Sequence, residues 1–197
     1  NLQKGLALFH KLKEYGMSHN AATARDLTQN LVMSHIKCGV SRGLTEIAAE
    51  AELNNFDMFI SIHSNAASEA ALVNYLLFLY RGTNAAEGNA GSRAMAQACW
   101  PHIIENPHQM WTHHTGAGVT NICGDVSYMG SSYTTTHSNG KSYTGYYGVL
   151  RQGVPGFLVE GYFHTYQPAR HKYMNWNVCH MEGYGYARGI NDYFGWG

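Results

Sequence analysis

The run Met58-Phe59-Ile60-Ser61-Ile62 constrains this chain most. It is short, rich in Ile and Phe, and stops abruptly at His63-Ser64-Asn65. Such a run reads as a β-strand buried on both faces, the pattern of a parallel sheet. In open α/β sheets, function gathers at the carboxyl ends of the strands, and His63 falls at that edge. A histidine there is more often a structural hydrogen-bonding residue than a ligand, so His63 alone decides nothing.

A second stretch, Val154-Pro155-Gly156-Phe157-Leu158-Val159-Glu160-Gly161, repeats the arrangement with a carboxylate. Phe157 to Val159 is the apolar core of another short strand, and Glu160 stands where that strand is expected to stop. If the two strands are parallel neighbours, an imidazole and a carboxylate share one rim. A metal ligand beside a general base is a constellation that needs such a pair. The plainer alternative has Glu160 capping a helix or pairing with an arginine such as Arg151.

The rest of the chain supplies helices for such a sheet. Leu2, Leu6, Phe9 and Leu12 recur at helical spacing and Gly16 reads as a stop, predicting an amphipathic helix over 1–15. Leu44, Ile47, Ala48 and Ala51 predict a helix over 43–54, and Met95, Ala98, Cys99 and Ile103 one over 88–104, weakened by Pro101. Met181, Ile190 and Phe194 mark a last helix over 176–193, and Leu72 to Tyr80 a strongly apolar strand. A short strand is expected within Ala21 to Arg25, while Leu31 to Cys38 fits no single pattern. The expectation is a single α/β domain over 1–197, a mostly parallel twisted sheet with helices on both faces. No repeat or linker argues for a second domain.

Residues 105–147 show no clean period and carry Trp111, His113, His114, Tyr128, Tyr133, His137, Tyr143, Tyr146 and Tyr147 among Gly, Ser and Thr. They predict loops with a short hairpin. They form either a binding wall or lid, or a surface excursion held by its own aromatics.

Charge excludes some partners. The chain has 13 Lys and Arg against 13 Asp and Glu, so no basic surface for nucleic acid or an anionic membrane is expected. No segment reads as a signal peptide or a membrane span, and oligomeric state is not legible. The 12 histidines form no Cys/His cluster of zinc-finger spacing. Cys38, Cys99, Cys123 and Cys179 are spaced widely enough to allow one or two disulfides in an exported protein, with no pairing implied.

Asp57 to Ala66, with Tyr147-Gly148-Val149-Leu150-Arg151 and Pro155 to Gly161 far downstream, resembles the zinc-dependent N-acetylmuramoyl-L-alanine amidases of bacterial cell-wall turnover, the amidase-3 type. That family carries a Ser-Ile-His-x-Asn strand end, matched at Ser61 to Asn65, whose histidine binds zinc. It also carries a Pro-x-x-Leu-Val-Glu strand end, matched at Pro155 to Glu160, whose glutamate is the catalytic acid/base. Ala187 to Phe194 is similar to the end of the family's last helix. The likeness covers about residues 1–82 and 146–195 and leaves 105–147 as a loop-rich insertion. The family's Thr-Arg strand end is met only by Ala24-Arg25, which leaves Arg25 without an assigned role.

The resemblance implies cleavage of the amide between N-acetylmuramic acid and L-alanine of peptidoglycan stem peptides. His63 would be a zinc ligand and Glu160 the proton shuttle, with Asn65 and Arg151 as weaker substrate-binding candidates. It also implies a periplasmic or extracellular location in the cell envelope. A catalytic zinc takes three protein ligands plus water. The family's other two, a histidine in a Gly-His-Gly-Gly loop and a glutamate opening the first helix, have no counterpart in this sequence. The expectation is an N-terminally truncated chain whose zinc site is incomplete, with His113, His114 or His164 as remote substitutes. The competing reading is a degenerate, non-catalytic peptidoglycan-binding domain. A zinc carboxypeptidase lacks its His-x-x-Glu motif here, and a serine hydrolase on Ser61 or Ser64 lacks a Gly-x-Ser-x-Gly elbow.

Overall fold

Three apolar strands and a histidine-tipped one build the central sheet. The computed structural model describes residues 1–18, 33, 42–54, 56–68, 73–104 and 121–196. In chain order the elements are α1 (Leu2–Ser18), α2 (Leu44–Leu53), β1 (Phe59–Asn65), β2 (Leu77–Tyr80), α3 (Ser92–Ile104) and β3 (Ile122–Gly124). There follow α4 (Asp125–Met129), β4 (Tyr133–Thr136), β5 (Ser142–Gly145), a 3₁₀ turn (Gly148–Leu150), β6 (Gly156–Phe163), α5 (Gln167–Tyr173) and α6 (Trp176–Phe194).

The main sheet runs in the order β1-β6-β2-β3. β6 pairs in parallel with β1 and antiparallel with β2, and β2 pairs in parallel with β3. The sheet is therefore mostly parallel, as expected. β6 is buried along its whole length, whereas β1 is only half-buried at six of seven positions. The expectation that Met58 to Ile62 is buried on both faces is corrected accordingly, because among the described residues β1 has a strand neighbour on one side alone.

Alternation along the strands sorts side chains to two faces. Phe78, Phe157 and Val159 meet Leu8 and Leu12 of α1, Met95 and Cys99 of α3, and Tyr186 and Ile190 of α6. Leu77, Leu79 and Leu158 meet Ile47 of α2, Cys123, and Val149 and Leu150 of the 3₁₀ turn. Helices thus cover both faces. α6 is framed by its own chemistry: the Asn175 carboxamide oxygen accepts from Val178 N–H at 3.0 Å, and Gly195 closes it in the left-handed region at φ 64°. Gly183 and Gly189 let α6 approach its neighbours. A Cβ at Gly183 would stand 2.5 Å from the Lys4 carbonyl oxygen, and one at Gly189 would stand 2.3 Å from Cys99 Cα.

Several boundaries differ from the sequence expectation. α1 runs through Gly16 to Ser18. Its buried stripe is Lys4, Ala7, Leu8 and Leu12, while Leu2, Leu6 and Phe9 are half-buried. The helix is rotated from the predicted face because a lysine with a buried partner takes a core position. β2 begins at Leu77, later than expected, and α3 begins at Ser92 with Pro101 inside it. β6 continues through Glu160 to Phe163. The segment Ala21 to Arg25 lies outside the described residues, as do Cys38, His113 and His114. Cys99, Cys123 and Cys179 are free thiols.

The hairpin expected between 105 and 147 is β4–β5. Thr134 faces Thr144 and Thr136 faces Ser142, with hydroxyl contacts of 2.8 and 2.7 Å. Glu52, at the end of α2, ties the hairpin down. Its carboxylate accepts from Lys141 Nζ at 2.7 Å, the Tyr143 hydroxyl at 2.6 Å and Gly153 N–H at 2.8 Å.

Candidate active site

His63 on β1 is the direct register partner of Glu160 on β6. Adjacent strands lie about 4.8 Å apart, and paired residues of a parallel pair point to the same face. Ile60 and Ile62 pack on the α1–α6 side, and Phe59 on the other. His63 therefore belongs with Phe59, and Glu160 with Leu158, on the face that carries Tyr147. The pairing then breaks: Asn65 aligns with Phe163, so β6 has one extra residue between them. This bulge at Gly161-Tyr162 begins directly after Glu160.

The Glu160 carboxyl is 6% exposed, and its Oε2 has no hydrogen-bond partner. On the sheet it lies between His63 and the fully buried Leu77. An aromatic group lies on the same side. Tyr75 and Phe163 pack at 4.6 Å between ring centroids, and the Tyr75 and Tyr128 hydroxyls meet at 2.8 Å. Burial pushes the Glu160 carboxyl up to about 7, against the pull of the Lys4 ammonium. Burial first, and then the Glu160 charge, pushes the Tyr147 phenol up. His63 moves the other way. Burial first, and then the positive charge of Lys4, lowers its pKa and favours the neutral imidazole.

A carboxyl near neutrality beside a neutral imidazole can take a proton from water and give it back within one working pH range. A neutral imidazole is also the form that binds a metal. The donor set fits part of a zinc site: one nitrogen ligand and a neighbouring base. Among the described residues, no three His, Cys, Asp or Glu side chains converge on one point.

The weaker candidates stand as follows. The Asn65 carboxamide oxygen accepts from Ala66 N–H at 2.8 Å, its own strand end. Arg151 does not pair with Glu160. Its guanidinium lies over the Tyr133 ring at 5.8 Å, and its buried Nε has no hydrogen-bond partner. His164 is exposed and reaches Ser64 Oγ at 3.4 Å. Sequence reasoning missed Tyr75 and Asp125. Asp125 is fully buried and accepts from the N–H groups of Gly82, Tyr146 and Tyr147 at 2.9, 2.7 and 3.1 Å. It thereby fixes the backbone that carries Tyr147 to the site. Its position in an aperiodic stretch gave no signal.

The chain matches solved structures along nearly its whole length. An N-acetylmuramoyl-L-alanine amidase from Clostridium difficile 630 matches 99% of this chain with a TM-score of 0.67 and 19% identity, over 82% of its own length. The fold is that of N-acetylmuramoyl-L-alanine amidases. The catalytic domain of CwlV, such an amidase from Bacillus (Paenibacillus) polymyxa var. colistinus, matches 96% of this chain, with a TM-score of 0.63 and 17% identity, over 82% of its length. Cwp6 from Clostridium difficile matches 97% with a TM-score of 0.63 and 23% identity, and this chain spans 24% of it. No protein-family model and no curated protein sequence matches.

Proposed function

We propose that this chain is the hydrolytic part of a bacterial cell-wall amidase that cuts the bond between N-acetylmuramic acid and L-alanine of the stem peptide. The observation that carries the reading is the in-register pair of His63 and Glu160, with Glu160 buried and its Oε2 unpartnered. The fold shared with solved amidases supports it.

His63 is one ligand of the proposed zinc ion, held neutral by its burial. When bound, zinc supplies a more acidic water and polarises the scissile carbonyl. Glu160 takes the proton of the attacking water. It later returns that proton to the departing L-alanine nitrogen, without which the amine is a poor leaving group. Burial beside Leu77 and Tyr147 keeps the proton affinity of the carboxyl near neutrality. Asn65 and Arg151 are proposed substrate contacts, Arg151 for a stem-peptide carboxylate. Peptidoglycan as substrate places the protein in the cell envelope. No helix among the described residues is long and apolar enough to cross a membrane.

The test is release of stem peptides from purified peptidoglycan by the full-length protein, with and without chelator, beside Glu160→Gln. Muramoyl-free stem peptides that depend on Glu160 support the reading. The competing reading is murein binding without hydrolysis; among the described residues no three His, Cys, Asp or Glu side chains form a group that could hold a metal ion. It predicts sedimentation with sacculi and no released peptide.

A further inference from the structure

Behind the β6 bulge lies a buried charged group for which the proposed chemistry has no direct use. Lys4 of α1 and Glu182 of α6 meet at 2.8 Å, each side chain 1% exposed. The Tyr186 hydroxyl donates to Glu182 Oε1, and Lys4 Nζ lies 4.8 Å over the Tyr162 ring. All of this presses on Gly161. A Cβ there would stand 2.5 Å from Glu182 Oε1 and 2.7 Å from Lys4 Nζ. Gly161 and Tyr162 are the residues at which β6 gains its extra residue and loses register with β1.

Stability does not account for such a group. Desolvating two charges costs several kcal/mol per ion, and an apolar pair of similar volume is often as stable or more so. What an ion pair adds is geometry, because it holds only when its atoms meet. Gly161 follows Glu160 directly, so whatever fixes the bulge fixes the direction of the Glu160 side chain.

We propose that Lys4, Glu182 and Tyr186 form a strut against Gly161 that sets where the Glu160 carboxyl stands relative to His63. The three are positioning residues: Lys4 and Glu182 lie against the bulge, on the face opposite the Glu160 side chain, and the Tyr186 hydroxyl holds Glu182. This assignment rests on the hydrolase reading for its catalytic consequence, but the geometry can be tested without it.

The experiment compares the full-length protein with Lys4→Met/Glu182→Leu. Expected is a melting temperature equal to or above the parent's, with kcat for stem-peptide release down ~10–100-fold and KM unchanged, the size of effect that a 1 Å misplacement produces. In the same samples, the Gly161 and Tyr162 amides should exchange faster and the His63 ring ¹⁵N signals should shift. A folded double variant with parental kcat, amide exchange and ring signals would overturn the strut. Should the double variant not fold, Tyr186→Phe removes only the hydroxyl. It is expected to lower kcat about threefold to tenfold at unchanged KM, and parental kcat and exchange there would equally overturn it. If the unmutated protein releases no peptide, the hydrolase reading fails, and amide exchange with the ring signals decides the strut alone.

Discussion

His63 and Glu160 are paired across β1 and β6, one residue before the two strands lose register. The pair joins stretches of sequence almost a hundred residues apart, and it does so at the last position before the bulge shifts the parallel register. Beyond it, the direction of each side chain depends on the bulge and on what packs behind it.

Loss of the Glu160 carboxyl should remove turnover without removing the fold. Gln fills the same volume in a site where the Oε2 atom has no partner to lose. General acid–base catalysis is worth typically 10²–10⁴-fold. Glu160→Gln is therefore expected to lower stem-peptide release by about that factor, with an unchanged circular dichroism spectrum. Release within threefold of the parent would take Glu160 out of the mechanism.

The same residue should mark the pH dependence of stability in metal-free protein. Its folded-state pKa, about 7, lies above the unfolded value of 4.5. Between those values the folded chain holds more protons, so stability falls as pH rises through that window. The shift corresponds to about 3 kcal/mol at most. His63 acts oppositely: its folded pKa lies below 6.5, so stability rises with pH as the ring loses its proton. Comparing the parent with Glu160→Gln isolates the carboxyl. Urea midpoints should coincide below pH 4.5, and above pH 7 the variant should be the more stable. Coincidence at pH 8 as well would show that Glu160 is solvated.

Much of this site could be seen in the sequence because it rests on local signals. Apolar runs that stop at His63 and Glu160 announce two strands with polar residues near their ends; that the two strands are parallel neighbours stood only as a condition there, and the structure supplies it. Lys4 was illegible for the opposite reason. Its place in the core depends on Glu182, 178 positions away, and no periodicity shows a partner at that range. The continuation of β6 past Glu160 was missed because Gly161 reads as a strand end, whereas here it gives room to the ion pair. Asp125 and Tyr75 matter through backbone and ring contacts made only in the folded chain.

Glu52 should anchor the β4–β5 hairpin. Although burial raises its pKa, hydrogen bonds from Lys141, Tyr143 and Gly153 outweigh burial and hold the carboxyl at about 2. A depressed carboxyl contributes stability that is complete above its unfolded pKa of 4.5 and lost as pH falls towards 2. Glu52→Gln is expected to cost about 1–2 kcal/mol at pH 7 and nothing near pH 2. Amide exchange of 133–136 and 142–145 should accelerate first. Unchanged exchange would mean that the hairpin holds itself.

Cys99 and Cys123 should be inert in the native state. Both are buried, and burial pushes the Cys123 thiol up to about 12 and the Cys99 thiol higher still. The thiolate is the reactive form. At pH 8 a disulfide reagent should modify neither until urea unfolds the chain; prompt labelling of either, mapped by mass spectrometry, would contradict their burial.

Two glycines of α6 and its cap separate packing from backbone conformation. At Gly189 a Cβ would meet Cys99 Cα at 2.3 Å and Cys99 N at 2.7 Å, backbone atoms that cannot turn aside. Gly189→Ala must therefore push α6 away from α3, at a cost of about 1–3 kcal/mol or more. At Gly195 a Cβ meets nothing within 4 Å, but φ is +64°. Gly195→Ala should cost only about 1 kcal/mol, from the left-handed backbone alone. Because Cys99 and Tyr186 share the core behind the sheet, Gly189→Ala should also loosen Tyr186 and speed exchange at Gly161, while Gly195→Ala should leave both as they are. Equal costs, with no difference at Gly161, would mean that the α3–α6 contact is looser than these distances require.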